Sequence, residues 1–205
     1  MIHVGHGLWI VGAYLLGAVP ASLLVAKWLG HLDLRAVGSG NLGATNLYRA
    51  MGWRGAIPAA LFDVGKGAVA VLVVRHQGIH PWFPLAAGAA AVLGHVFSPF
   101  VRFRGGKGVA TAAGAFAALA PLGVLVAGIV FALVVKLTGY VSVGSMIAAG
   151  VFLASVPLLH PGNAPMLAAA AVVFVFIVYT HRGNIARLRA GTENRFGRKS
   201  SAGAA

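Results

Sequence analysis

Cysteine is absent from this 205-residue chain, and only three residues are acidic against sixteen Lys and Arg. The first absence excludes disulfides, thiolate nucleophiles and cysteine metal sites together. The second leaves too few hard oxygen ligands for Mg²⁺, the more so because Asp63 stands inside an apolar run beside Lys66. No metal and no cofactor is therefore expected. Charge of either sign is scarce, at 9% of residues, while 59% are hydrophobic and the mean hydropathy is +0.87, outside the range of a soluble domain of this size. A basic n-region is also missing, since Met1 to Gly7 offers only His3 and His6, so the first apolar run does not read as a cleaved signal peptide. The net charge of +13 does not point to nucleic acid, because the basic residues are interrupted by apolar spans and form no groove-binding face. Anionic lipid and small anionic substrates fit that charge better.

What is present is an all-α, polytopic transmembrane helix bundle, read as a single domain over 1–205. Its 29 glycines predict close helix packing through small residues. The expected spans begin with Leu8 to Leu29, long enough for ~30 Å of hydrocarbon, followed by a polar loop from His31 to Arg54. Ile57 to Val74 is next, with Asp63 and Lys66 three residues apart on one helical face as an ion pair, read as structural support. Trp82 opens the third span at a position suited to an interfacial aromatic. Val109 to Val135 is long for one crossing and short for two. If Pro121 breaks it into two short helices, and Tyr140 to Leu159 and Ala164 to Tyr179 follow, the chain crosses seven times. With the N-terminus outside and the C-terminus cytoplasmic, every Lys and Arg except Arg75 and the embedded Lys66 then lies on the cytoplasmic side. A single crossing would move Lys136 and the basic tail outside, so charge bias favours seven spans. Beyond Glu193, residues 194–205 read as a disordered basic tail near anionic headgroups.

Three polar clusters interrupt this apolar pattern. The first, Gly38 to Arg49, has the components of an anion cradle. Gly38, Gly40 and Gly43 permit positive φ and close backbone approach, Ser39, Asn41, Thr45 and Asn46 supply neutral hydrogen-bonding groups, and Arg49 supplies a planar fork for two phosphate oxygens. The second, Arg102 to Thr111, places Gly105, Gly106 and Lys107 just before an apolar run, where the amides of a helix N-terminus would face whatever Lys107 holds. The third puts His181 and Asn184 on one helical face at a membrane boundary. In the seven-span topology these clusters and the Lys136 to Ser145 segment come to the same side of the membrane.

Other chemistries are weaker. His95 at a span end reads as a core histidine bonded to a carbonyl. With Ser98 it could form a Ser-His pair, but no carboxylate is near in sequence to orient the ring. A nucleotide P-loop is not supported, since the glycine required five before Gly106 is Val101 and no Ser or Thr follows Lys107. An alternative from another class is a small membrane transporter or channel for phosphate-bearing anions, which would need polar groups reachable from both faces rather than crowded at one boundary.

In order and wording the clusters resemble the bacterial acyl-phosphate-dependent glycerol-3-phosphate acyltransferases. The matching residues are Gly38-Ser39-Gly40-Asn41 through Ala44-Thr45-Asn46 and Arg49; Gly94-His95 with Phe97-Ser98 through Gly105-Gly106-Lys107-Gly108; and His181 with Asn184-Ile185 and Arg187-Leu188. The resemblance implies that the 1-hydroxyl of glycerol 3-phosphate attacks a fatty acyl phosphate, giving lysophosphatidic acid and phosphate. It also implies seven helices in a bacterial inner membrane, with the active site facing the cytoplasm. It places Ser39, Arg49, Lys107, His181, Asn184 and a serine of the Tyr140 to Ser145 segment, Ser142 or Ser145, around the phosphate. Gly183 departs from the pattern, being acidic in many members. An acyl phosphate is a mixed anhydride with a good leaving group, so no acyl-enzyme is needed. Positioning and charge neutralisation by Arg49, Lys107 and loop amides remain to be done, with a donor phosphate oxygen or His181 accepting the proton. The His-x-x-x-x-Asp dyad of thioester-using counterparts is absent, since His31, His95 and His181 meet Ala36, Phe100 and Ala186 five residues on.

Overall fold

The computed structural model describes residues 4–78 and 80–197. The elements are α1 (Val4–Ala18), α2 (Ala21–Gly30), α3 (Ala44–Met51), α4 (Trp53–His76), α5 (Trp82–Val96), α6 (Val109–Ala117), α7 (Pro121–Thr138), α8 (Val141–Leu159), α9 (Ala164–Thr180) and α10 (Arg182–Arg189). No strand occurs among the described residues. The protein is an all-α integral membrane protein. Leu61, Leu125, Ile129, Val172 and Val175 are each more than half exposed, an arrangement that is unfavourable in water and matched by lipid. Five helical stretches are long and apolar enough to cross a membrane, or six if α9 and α10, bent by 53° between them, are taken as one broken span. The chain divides into two compact units, Met1–Ala120 and Pro121–Ala205.

In the first unit, glycines set the helix crossings. A methyl group at Gly17 of α1 would collide with the Ala91 carbonyl oxygen of α5, and one at Gly94 of α5 with the Tyr14 carbonyl of α1. The same reciprocity joins α4 to α6, where Gly67 lies against the Thr111 carbonyl and Gly114 against that of Val64. Backbones this close gain dispersion contacts that no hydrophobic force supplies in lipid. The small residues Ala13, Ala70, Ala87, Ala90 and Ala91, with Val74, complete that core. As expected from its glycine content, the bundle packs through small side chains.

Two expected segments differ. The first span, Leu8 to Leu29, is interrupted, because Pro20 has no N–H to donate and the helix restarts at Ala21. The carbonyls freed at the break find other donors: Ser98 Oγ donates to Ala18 O at 2.5 Å and Lys66 Nζ to Val19 O at 2.9 Å. This is how a membrane helix tolerates a break. The polar loop from His31 to Arg54 is not all loop, for it contains the 3₁₀ turn Leu34–Ala36 and the helix α3. The break expected at Pro121 is found, with α6 ending at Ala117 and α7 beginning at Pro121.

The second unit holds α7 to α10 and the segment after them. Gly144 of α8 lies against Val135 and Phe131 of α7, Gly150 of α8 against Phe174 of α9, and Gly123 of α7 against Ser155 and Phe152 of α8. The tail differs from expectation over its first residues: Phe196 N donates to Gly139 O at 2.7 Å, and the Arg195 guanidinium bonds and overlies Tyr140. Residues 198–205 of the expected disordered tail lie outside the described residues.

Candidate functional site

The Gly38 to Arg49 segment is fixed by apolar anchors on either side of its polar stretch. Leu34, Leu42 and Leu47 are buried with Leu23, Ala26, Ala59 and Val101 in one cluster. Between these anchors the backbone turns through positive φ at Gly38 (59°) and Gly40 (67°), whereas Gly43 is extended and caps α3. Asn46, 1% exposed, organises the turn. Its Oδ1 accepts from Ser39 N at 3.0 Å, and its Nδ2 donates to Val37 O at 2.9 Å and, more weakly, to Leu34 O at 3.4 Å. A side chain at Gly38 would strike that Oδ1. Asn46 is thus committed to the loop backbone and holds the cradle's shape, a correction to its expected place among the direct phosphate ligands. Ser39 is exposed, and Asn41, Thr45 and Arg49 are half-buried. Thr45 and Arg49, four apart on α3, share a face. At the loop entrance Asp33 accepts from Arg35 Nε and Nη2 at 2.9 and 2.6 Å, and these bonds hold its carboxyl at about 2, below the ordinary 3.8.

The second cluster is built differently from expectation. The Gly105 and Gly106 amides donate to Val96 O at 2.9 Å and His95 O at 3.1 Å, closing the end of α5. They are not the phosphate-facing donors expected from the sequence. Both positions require glycine for close approach: a side chain at Gly105 would meet the His95 carbonyl, and one at Gly106 the His95 Nε2. Gly108, at φ 83°, then caps α6, and Lys107, half-buried, stands between the two turns. The amides that open α6 follow directly.

Behind this cluster is a buried ion pair with a third member. Lys66 Nζ lies 2.7 Å from Asp63 Oδ1, an ion-pair distance without hydrogen-bond alignment, and the two side chains are 1% and 3% exposed. The pair was expected; the third member was not. His95 Nδ1 stands 3.0 Å from Lys66 Nζ and 3.4 Å from Asp63 Oδ1. His95 is therefore not simply a core histidine bonded to a carbonyl, and a carboxylate does reach it, delivered by α4 rather than by nearby sequence. Ser98 is turned elsewhere, its hydroxyl bonded to Ala18 O, so the pair does not form a hydrolytic dyad.

In the second unit the structure assembles a cluster whose centre the sequence reading missed. Glu193 Oε1 accepts from Asn184 Nδ2 at 2.5 Å and Ser142 Oγ at 2.9 Å, and Oε2 accepts from Arg187 Nε at 2.7 Å. Burial drives its carboxyl pKa upward, but the bonds from Asn184, Ser142 and Arg187 outweigh that and hold it below the ordinary value. Its rarity was the available signal, for in a chain with three acids each one calls for a reason. Ser142, not Ser145, joins Asn184 here; Ser145 Oγ donates to Val141 O of its own helix at 2.9 Å. His181, 2% exposed, sits at the bend between α9 and α10. Its Nδ1 is 2.8 Å from Ile177 O. A carbonyl only accepts, so Nδ1 carries the proton in this contact.

All three acids thus have cationic partners: Asp33 with Arg35, Asp63 with Lys66 and Glu193 with Arg187. No group of three or more metal-ligating side chains occurs among the described residues.

The chain is similar to known proteins along nearly its whole length. A sequence profile of glycerol-3-phosphate acyltransferase matches residues 7–191. A glycerol-3-phosphate acyltransferase from Geotalea daltonii is 44% identical over 189 residues, covering 92% of this chain and 96% of that protein. One from Thermus thermophilus is 48% identical over 194 residues, covering 93% and 94%. Among solved structures, PlsY, described as an integral membrane glycerol 3-phosphate acyltransferase, superposes in its glycerol 3-phosphate form with a TM-score of 0.88 at 38% identity, over 94% of this chain and 96% of that one. A second crystal structure of PlsY, in a lysophosphatidic acid form, gives 0.87 at 36% identity. With agreement across nearly its whole length, the chain belongs to the glycerol-3-phosphate acyltransferase family.

Proposed function

We propose that this enzyme, with the whole chain as its acyltransferase domain, takes its acyl group from a fatty acyl phosphate. The 1-hydroxyl oxygen of glycerol 3-phosphate attacks the acyl carbonyl carbon and the bond from that carbon to the phosphate oxygen breaks. Lysophosphatidic acid and inorganic phosphate are the products. The hydroxyl proton passes to a phosphate oxygen of the donor or to His181 Nε2. The observation that carries this reading is the pairing of all three acidic side chains, Asp33, Asp63 and Glu193, with a cation. An enzyme with no carboxylate held in reserve for base catalysis suits a donor that is already activated and brings its own proton acceptors. Arg49 and Lys107 bind phosphate, with Ser39, Asn41 and Thr45 lining the cradle that Gly38, Gly40 and Asn46 shape, and Gly105 and Gly106 placing Lys107. In the second unit Asn184 and Ser142, oriented by Glu193, are the phosphate-binding candidates; Ser145 is the weaker candidate because its hydroxyl is bonded within α8.

We also place the enzyme in the bacterial inner membrane with seven crossings, N-terminus outside and active site cytoplasmic. The seventh crossing requires α6, whose nine residues rise only about 14 Å. Its burial of Thr111, Ala112, Gly114, Ala115 and Phe116 against neighbours supports a short, shielded crossing.

The test is turnover of purified protein with glycerol 3-phosphate and each donor in turn. Acyl phosphate should be used directly, acyl-CoA and acyl carrier protein should not replace it, chelator should leave the rate unchanged, and free phosphate should compete. Lys107→Ala and Arg49→Ala should each remove nearly all activity, and Arg49→Lys should be poor because an ammonium cannot make the bidentate contact. Robust turnover with acyl-CoA alone refutes the donor, and near-normal turnover in Lys107→Ala refutes the phosphate site.

A further inference from the structure

Pro20, Lys66, Asp63, His95 and Gly106 stand on four separate pieces of chain, yet they connect without a gap. An ammonium has three protons. Lys66 Nζ donates to Val19 O at 2.9 Å, meets His95 Nδ1 at 3.0 Å and stands at ion-pair distance, 2.7 Å, from Asp63 Oδ1. Lys66 can only donate, so in the 3.0 Å contact between them His95 Nδ1 is the acceptor. This contact is shorter than the 3.4 Å from Nδ1 to Asp63 Oδ1, so it sets the tautomer, with the ring's N–H on Nε2.

That arrangement does more than fill a gap. A buried ion pair is weak support for stability, since apolar residues of similar volume often serve as well or better. The Pro20 break does not require Lys66 alone, because Val19 O already accepts from Ala21 N at 3.0 Å. What apolar residues could not supply is a fixed imidazole. His95 grips Gly106 twice: its carbonyl accepts the Gly106 amide at 3.1 Å, and its Nε2 edge occupies the space a side chain at Gly106 would need. Lys107 is the next residue.

We propose that Asp63, Lys66 and His95 form a positioning network for Lys107, in which Lys66 sets the tautomer and angle of the His95 ring and the ring sets the backbone of Gly106. None of the three touches substrate in this scheme. The inference rests on Lys107 being a phosphate ligand. Loss of the network should therefore weaken ground-state binding of glycerol 3-phosphate more than it slows the chemical step.

The experiment uses the full-length protein in detergent with the Asp63→Asn/Lys66→Met double variant, which removes both charges together and leaves neither unpaired. The KM for glycerol 3-phosphate should rise about tenfold with kcat within about twofold and the melting temperature nearly unchanged. In ¹⁵N-histidine spectra the wild-type His95 should show Nε2–H with a hydrogen-bonded Nδ1, and the double variant should lose that signature. Should the double variant not fold, His95→Asn provides the same test, because it leaves the ion pair in place, and its KM should rise similarly. Wild-type KM in the folded variant overturns the proposal, as does a fall in kcat with KM unmoved. Lys107→Ala is measured alongside. If it turns over normally, the phosphate-site reading fails; if it is impaired while the network variants keep wild-type KM, only the positioning role fails.

Discussion

Removing Glu193 should unfold the second unit's polar cluster, and the geometry sets the size of the effect. In Glu193→Ala, Asn184 Nδ2 and Ser142 Oγ lose the acceptor that each bonds, and both residues are buried, at 7% and 4% exposure. A buried donor left without its acceptor costs about 1–3 kcal/mol. Arg187 is different: its side chain is 38% exposed and water can replace the lost contact, so it adds no more than about 1 kcal/mol. The expected loss is about 2–7 kcal/mol. At roughly 2–4 °C per kcal/mol for a chain of this size, the melting temperature should fall by roughly 4–28 °C. Thermal unfolding of the purified protein in detergent, followed by tryptophan fluorescence, measures it. Glu193→Gln should fall between, since an amide oxygen can still serve Asn184 and Ser142 while its NH₂ opposes Arg187. The predicted order of destabilisation is Glu193→Ala, then Glu193→Gln, then Arg187→Ala. A shift under about 2 °C in Glu193→Ala, or Arg187→Ala proving the most damaging of the three, would refute the reasoning.

The same carboxylate predicts a pH dependence. Its folded-state pKa lies below the ordinary 4.5, so the stability it contributes is fully present above that value and is lost as pH falls through the depressed one. Melting temperatures measured from neutral to acid pH should show this decline in wild type and a shallower one in Glu193→Gln; parallel curves would contradict the assignment. Gly67→Ala and Gly114→Ala should each destabilise by about 1–3 kcal/mol or more because a backbone carbonyl occupies the space. Gly65→Ala in the same helix as Gly67 meets nothing within 4 Å and should be neutral or slightly stabilising, a contrast read from the same melts. For topology, single cysteines replacing Arg35, Arg104 and Lys136 should be labelled from the cytoplasmic side, and those replacing Gly78 and Gly162 from outside. Outside labelling at Lys136 would return a single crossing for Val109 to Val135.

By itself the sequence determined that this is a helical membrane protein and where most of its helices run, because hydropathy and proline act locally: the break at Pro121 and the spans from Trp82 and Tyr140 need only the residues present there. It determined the family as well, since the motifs around Ser39, Lys107 and His181 are contiguous stretches with their own wording. The tertiary structure alone decided what each polar group bonds. Asn46 reads as a ligand in sequence and proves to be the loop's organiser, because its partners Leu34, Val37 and Ser39 become neighbours only when the leucine anchors are buried. Gly105 and Gly106 read as anion-facing amides and prove to close α5, since a helix end leaves carbonyls that some donor must satisfy and the returning chain supplies it. His95 appeared to lack a carboxylate because Asp63 is 32 residues away; the pairing of α4 with α5 places them together. Glu193 looked like the start of a tail, and only its reach back to Ser142, 51 positions earlier, shows that it holds the third cluster. Local signals are readable because they depend on the chain's own geometry, whereas hydrogen-bond partners depend on which backbones pack, and here that choice is made by glycines on helices far apart in sequence.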